Sequence, residues 1–398
     1  MERIEIMLQS GLDAVLVKDL TGTAVKTVAV DFGGGGDGEI DLVQARGTAG
    51  DDRIAIVGTQ GSMTVSGLAA SVTNAEALDN LLIAGGDGAD VLDASGATAG
   101  GIGLIDKSEA GDDYMYGSAG RDSMDGGDGA DFLQAGQGED SMEGGAGRDT
   151  LAMTMSAAND TVAIRTSEIQ IGTDTTLAVT GLERLELRSG DGLDRIEIGD
   201  LSISTLRELT IDLGGQADRV RMAGTNLTDT VAMAQSGTTV TVTGLPAQIT
   251  IANLDTALDQ IELMAGFGND VVSAVGMISG VRIEGNAESD VLTGGAGADQ
   301  LFGGSGFDKL TGGGGSDLFI FSDINGFDAV LDFQNGTDRI SITGYGGVLD
   351  AFADLAGDIR QIDGGVIVDL SANAANAGTI FLQGIQVFQL DASDFLFG

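Results

Sequence analysis

The 398-residue chain has no histidine and no cysteine. Those two absences remove the imidazole general base, the usual zinc and copper ligands, thiol nucleophiles and any disulfide framework. Basic residues are scarce: 19 Lys and Arg stand against 61 Asp and Glu, a formal charge of −42. Such a field repels nucleic acid and anionic membranes and attracts divalent cations. No apolar run approaches the roughly 18 residues needed to span a bilayer as a helix. The start, Met1-Glu2-Arg3-Ile4-Glu5-Ile6, lacks a basic stretch followed by an apolar core, so a cleaved secretory signal is not expected. The motifs H-E-x-x-H, C-x-x-C, G-x-S-x-G and the P-loop are missing as well.

What the chain does have is glycine and aspartate in strict phase. Asp113, Asp122, Asp131, Asp140 and Asp149 recur every nine residues, and Asp290, Asp299, Asp308 and Asp317 repeat the beat. In the first series a glycine stands two positions earlier (Gly111, Gly120, Gly129, Gly138 and Gly147) and an apolar residue two later (Met115, Met124, Leu133, Met142 and Leu151). Leu292, Leu301, Leu310 and Phe319 hold that apolar place in the second. Glycine-rich segments at positive φ suit tight turns, and the x-apolar-x remainder suits a short strand with one inward side chain. Two nonapeptides close one coil, so the apolar residues stack while the turns align along both edges. A column of carboxylates and backbone carbonyls suits Ca²⁺, which takes six to eight hard oxygens at about 2.3–2.6 Å, better than rigidly octahedral Mg²⁺. A disordered Gly/Asp linker is the competing reading. It gives no reason for an apolar residue at one fixed phase nine times over.

The best copy, Gly126-Gly127-Asp128-Gly129-Ala130-Asp131-Phe132-Leu133-Gln134, is the G-G-x-G-x-D-x-U-x nonapeptide, U being a large apolar residue. On these residues the chain resembles the repeats-in-toxin (RTX) family of secreted calcium-binding proteins. The resemblance implies an all-β parallel β-roll or β-solenoid with calcium-binding turns and a C-terminal β cap. Its expected Ca²⁺ ligands are Asp113, Asp122, Asp131, Asp140 and Asp149, then Asp299, Asp308 and Asp317. Carbonyls of neighbouring glycines would join them: Gly120, Gly127, Gly129, Gly136, Gly138, Gly145 and Gly147, then Gly295, Gly297, Gly304, Gly306, Gly313 and Gly315. Two opening turns depart from the pattern, Ser108-Glu109-Ala110-Gly111-Asp112-Asp113 and Gly285-Asn286-Ala287-Glu288-Ser289-Asp290, and are expected to bind weakly or not at all. Gly224-Thr225-Asn226-Leu227-Thr228-Asp229 lacks its third glycine.

A longer repeat lies over the short one. Glu2-Arg3-Ile4-Glu5 matches Glu183-Arg184-Leu185-Glu186; Thr64-Val65-Ser66-Gly67-Leu68 matches Thr241-Val242-Thr243-Gly244-Leu245; Asp79 and Asp90 match Asp259 and Asp270. The offsets stay near 180 residues, so the chain reads as one unit copied twice, each copy ending in an array. The expected division is 1–107, strands of the first copy; 108–152, first array; 153–284, strands of the second copy; 285–320, second array; and 321–398, cap and export signal. Alternating segments such as Val220-Arg221-Met222, Val240-Thr241-Val242 and Ile249-Thr250-Ile251 fit a sandwich as well as a solenoid. The solenoid is preferred because their beat runs into the arrays. Gly47–Ile54 and Gly86–Leu92 look like single embedded nonapeptides, and residues 351–356 suggest one short helix. Eleven of 14 phenylalanines follow residue 300, as expected if bulky residues close the last coil.

The expected function is a secreted, extracellular or cell-surface, non-enzymatic protein that folds on extracellular Ca²⁺. Residues 332–340 and 391–397 resemble RTX C-termini, which implies a one-step bacterial (type I) exporter as partner. Abundant carboxylates leave a glycosidase-like pair open, but because residue 1 falls inside the duplicated unit, a separate enzymatic region is not expected within this sequence. Self-association into a surface layer, fibre or matrix is a second reading. A third makes the chain the C-terminal part of a longer exported enzyme or adhesin.

Overall fold

The computed structural model describes residues 2–8, 11–31, 42–59, 62–68, 71–74, 80–98, 104–173, 175–322, 326–345, 348–355, 357–372 and 377–398. Asp79 of the internal duplication and residue 356 of the expected helix lie outside them. The chain divides into two compact units. One comprises Met1–Met155, Ser167–Leu187 and Ser204–Glu208; the other comprises Ser156–Thr166, Arg188–Ile203 and Leu209–Gly398.

The first unit is built from parallel coils. Each coil contributes one strand to each of two sheets, and the array strands pair 18 residues on. Tyr114–Tyr116 lies between Val91–Ala97 and Phe132–Gln134, and Phe132–Gln134 pairs in turn with Thr150–Thr154. In the other sheet Asp122–Gly129 lies between Leu104–Lys107 and Ser141–Gly147. An 18-residue register means two nonapeptides per coil, as the spacing predicts. Because side chains alternate in a strand, each three-residue strand can send only its middle one inward. Ile54, Leu92, Met115, Leu133 and Leu151 align in register and are fully buried. Met124, Met142 and Val179 form the second buried file. Leu133→Ala should therefore open a cavity in a single-file core, at a cost of roughly 2–5 kcal/mol. The check is denaturation at fixed saturating calcium, with the solvent-facing Phe132→Ala as the milder companion.

The second unit repeats the plan. Thr161–Ile164, Arg195–Ile198, Arg219–Ala223, Gln260–Gly266, Val281–Ala287, Gln300–Ser305, Leu318–Ser322 and Arg339–Thr343 run parallel in that order. Their buried file runs Ile283, Leu301, Phe319 and Ile340, with one bulky aromatic at Phe319. The partner sheet stacks Thr230–Ser236, Val271–Gly276, Val291–Thr293 and Lys309–Thr311.

Not every alternating segment is a coil. Thr239–Thr243 and Gln248–Ala252, expected as parallel steps, form an antiparallel meander with Thr230–Ser236. Ser236 faces Thr239 across a two-residue turn in which Gly237 takes φ 62°, the positive φ that tight hairpins need. Arg53–Thr59, Ser62–Ser66 and Ser71–Asn74 form the matching meander of the first unit. Each meander lengthens one coil, which is why Asp52 and Asp90 are 38 residues apart and Asp218 and Asp259 are 41 apart, yet both pairs are bonded neighbours. At the C-terminal end the short helix Phe352–Leu355 is present. Phe319 lies against Phe333 and Phe352 against Phe395, while Phe307 and Phe388 stay exposed. The aromatic enrichment thus serves closure only in part.

Candidate metal centre

Many of the turns between coil strands end on an aspartate, and these aspartates form ladders. The backbone N–H of one donates to Oδ1 of its counterpart in the next coil. In the first unit Asp52 donates to Asp90 (2.8 Å), Asp90 to Asp113 (2.7 Å), Asp113 to Asp131 (2.9 Å) and Asp131 to Asp149 (2.9 Å). Glu183 ends that ladder by accepting from Asp149 at 2.9 Å. On the opposite edge Asp122 donates to Asp140 at 2.8 Å. In the second unit one ladder runs Asp160, Asp194, Asp218, Asp259. Another runs Asp229, Asp270, Asp290, Asp308, Asp328. A third joins Val281, Asp299, Asp317 and Asp338.

Oδ1 is satisfied by this bond, but Oδ2 often is not. Among the described residues Oδ2 of Asp90, Asp113, Asp131, Asp140, Asp149, Asp194, Asp218, Asp270, Asp290, Asp308 and Asp317 is buried without a hydrogen-bond partner. A buried, unpaired carboxylate oxygen is costly, and the same oxygen is a good ligand for a hard cation. Burial, with neighbouring carboxylates adding to it, pushes Asp90, Asp131 and Asp317 up to about 6 and Asp290 up to about 7. Asp140 also rises to about 7, through burial and the Asp122 carboxylate, although Arg121 opposes the shift. Burial raises Asp113, Asp149 and Asp308 too.

The glycines supply the other half of the geometry. A Cβ at Gly145 or Gly147 would run into the carbonyl of Gly127 or Gly129, and one at Gly138 into the carbonyl of Gly120. Gly313 and Gly315 meet the carbonyls of Gly295 and Gly297 in the same way, while Gly304 and Gly306 meet those of Asn286 and Glu288. Carbonyl columns therefore rise beside the carboxylate columns, and the turns approach closely enough to share an ion. Gly136 lies over the Ser118 carbonyl. The carbonyl of Gly313 is engaged by Gln334 Nε2 at 2.8 Å.

No group of three or more acidic side chains converges among the described residues. A site here must combine one or two carboxylates with backbone carbonyls, and that donor set fits Ca²⁺ and offers nothing to softer metals. The expected ligands are brought together by edge: Asp113, Asp131 and Asp149; Asp122 and Asp140; Asp299 and Asp317; and Asp308 beside Asp290. Asp90, Asp194 and Asp270 stand in identical ladder positions outside the arrays. Their signal was the same G-x-D triplet, Gly88-Ala89-Asp90, Gly192-Leu193-Asp194 and Gly268-Asn269-Asp270, without tandem copies on both sides to reveal it.

Parallel coils whose glycine turns stack carboxylates and carbonyls define a calcium-binding β-roll. Residues 108–133, 116–151 and 282–310 match the model of the RTX calcium-binding nonapeptide repeat (4 copies). The chain carries this repeat over those residues, and the repeats bind Ca²⁺. No curated protein matches the chain. Among solved structures, the extracellular lipase LipA from Serratia marcescens is similar over 79% of this chain and 45% of its own, at 16% identity and a TM-score of 0.29. A likeness that weak carries no argument, and this chain spans less than half of the lipase. The repeats themselves are structural rather than catalytic. No helix among the described residues is long and apolar enough to cross a membrane.

Proposed function

We propose that this is a secreted, non-enzymatic RTX repeat protein in which calcium binding and folding are one event. The observation that carries the reading is the file of buried Oδ2 atoms without partners in successive coils. Without a cation each coil must bury an unsatisfied carboxylate beside the next, in a chain of net charge −42, and the extended state is favoured. With calcium the same oxygens become ligands, and binding free energy is added to folding free energy. Low calcium inside a cell would keep the chain threadable for a type I exporter that reads its C-terminal residues; millimolar calcium outside would close the roll. Absence of His and Cys, and the use of the aspartates as ladder steps, support a role without catalysis. Asp113, Asp131, Asp140, Asp149, Asp308 and Asp317, whose Oδ2 is buried without a partner, are proposed as carboxylate ligands, together with glycine carbonyls.

Circular dichroism at neutral pH tests this. Strand signal is expected to collapse when calcium is chelated and to return on its addition. A strand spectrum indifferent to chelator would refute the coupling.

A further inference from the structure

Two kinds of turn recur among the ladder aspartates, told apart by the residue four positions earlier. Asp113, Asp218 and Asp290 also keep an unpartnered Oδ2, after Glu109, Gly214 and Asn286, of which only Asn286 has a positive φ. Gly86, Gly127, Gly136, Gly145, Gly190, Gly266, Gly304 and Gly313 all have φ between 85° and 111°. The aspartates that follow them, Asp90, Asp131, Asp140, Asp149, Asp194, Asp270, Asp308 and Asp317, all have an unpartnered Oδ2. Thr48, Ser118, Ser156 and Thr225 occupy the same position with φ outside the positive region. There the backbone N–H turns into the carboxylate and donates to Oδ2 of Asp52 (2.6 Å), Asp122 (2.7 Å), Asp160 (3.1 Å) and Asp229 (2.7 Å). The hydroxyl adds a second contact to each carboxylate at 2.9–3.2 Å. It also accepts from the N–H two residues on, in Gly50, Gly120, Ala158 and Leu227.

The cause is steric. A β-branched or hydroxyl residue is disfavoured at φ near +90°, so it holds the peptide in the orientation that aims N–H at the carboxylate. Glycine can take either form: Gly295, without a positive φ, donates to Asp299 Oδ2 at 2.6 Å.

Position in the ladders gives the latch a meaning. Asp52, Asp160 and Asp229 are each the first aspartate of their ladder among the described residues, and the turn before Asp299 presents Val281 in place of a carboxylate. Asp122 is in register with Leu104 of the preceding strand, so there too an apolar residue stands where a carboxylate would be. A first turn has no earlier carboxylate with which to share an ion. Asp259 and Asp338, at the far ends of two ladders, accept the same N–H bond from Asp255 and Gln334, without a Ser or Thr hydroxyl.

We infer that the Ser/Thr-latched turns are calcium-free start coils, closed by their own hydroxyl and N–H, and that calcium is taken only by turns whose aspartate keeps a free Oδ2. This rests on calcium binding at the unlatched turns. It also separates Asp122 and Asp299, two ligands expected from the sequence, from the carboxylates that demand metal.

The test is a calcium-binding titration of the full-length chain, read as ions bound per chain. Asp131→Asn is expected to lose bound calcium, whereas Asp122→Asn keeps the wild-type count. Ser118→Gly makes the turn Gly117–Asp122 match G-G-x-G-x-D and is expected to gain one ion; it also serves if Asp122→Asn fails to fold. Equal losses at Asp122 and Asp131, or an unchanged count in Ser118→Gly, would overturn the latch while leaving calcium-coupled folding intact. A wild-type chain that binds no calcium would remove both readings.

Discussion

With calcium chelated, the chain is expected to become more folded as pH falls from about 8 to about 5, the reverse of ordinary acid denaturation. Burial raises Asp90, Asp131 and Asp317 to about 6 and Asp140 and Asp290 to about 7 in the folded state, above the ordinary value of 3.8. A folded-state pKa above the unfolded one means that the folded chain binds more protons, so stability declines as pH rises. The contribution is complete below about 3.8 and is lost as pH climbs through 6 to 7. Protons then stand in for calcium by neutralising the same oxygens, and the falling net charge acts in the same direction. With calcium present the sign inverts for the ion: ligands must be deprotonated, so apparent affinity should drop about tenfold per pH unit for each aspartate that titrates below 7. Two measurements check this. Strand signal against pH in chelator should increase toward acid, and calcium addition near pH 6 should release protons. A chelated chain equally unfolded at pH 5 and pH 8 would show that the buried carboxylates do not govern folding.

How much of this was readable beforehand follows from which residues repeat in tandem. Leu133, Met142 and Leu151 announce their inward direction because nine residues separate each from the next and the flanking positions are polar or small. Two nonapeptides per coil and the parallel 18-residue register follow from that beat alone. The meanders did not announce themselves: Val240-Thr241-Val242 alternates as a parallel strand would, and only the turn at Gly237 separates the two readings. Asp90 was visible in the embedded nonapeptide Gly86–Leu92, whereas Asp194 and Asp270 were obscured because the intervals to their ladder neighbours vary with inserted strands. The latch is written in single letters, Ser118 where Gly127 and Gly136 stand in the next copies. It becomes legible only when one sees that the hydroxyl residue redirects its own N–H. Composition pointed to divalent metal correctly, because an acidic excess held at one phase cannot serve solubility alone.

The close approach of turns makes glycine replacement the most damaging change available to the roll, and the damage should depend on place rather than on flexibility. At Gly147 φ is 147° and a Cβ would collide with the backbone carbonyl of Gly129 in the adjacent coil. That carbonyl belongs to the column proposed to hold calcium, so Gly147→Ala must both strain the backbone and push the coils apart. Losses of this kind reach about 3 kcal/mol, and by mass action they move the calcium concentration for half-folding upward. The factor shrinks as more ions share the loss, since each bound ion contributes about 1.4 kcal/mol per factor of ten in calcium. Gly126→Ala makes a different collision, with Asp131 Oδ2 and, 2.5 Å away, the Gly144 carbonyl, and should displace the carboxylate without φ strain. Gly237, at φ 62° with open space around its Cα, is the control: Gly237→Ala carries only the left-handed penalty of about 1–2 kcal/mol. The order expected in a calcium titration followed by circular dichroism is Gly147→Ala worst, Gly126→Ala next and Gly237→Ala least. Equal effects at the three positions would mean that coil-to-coil contact through these carbonyls does not limit folding.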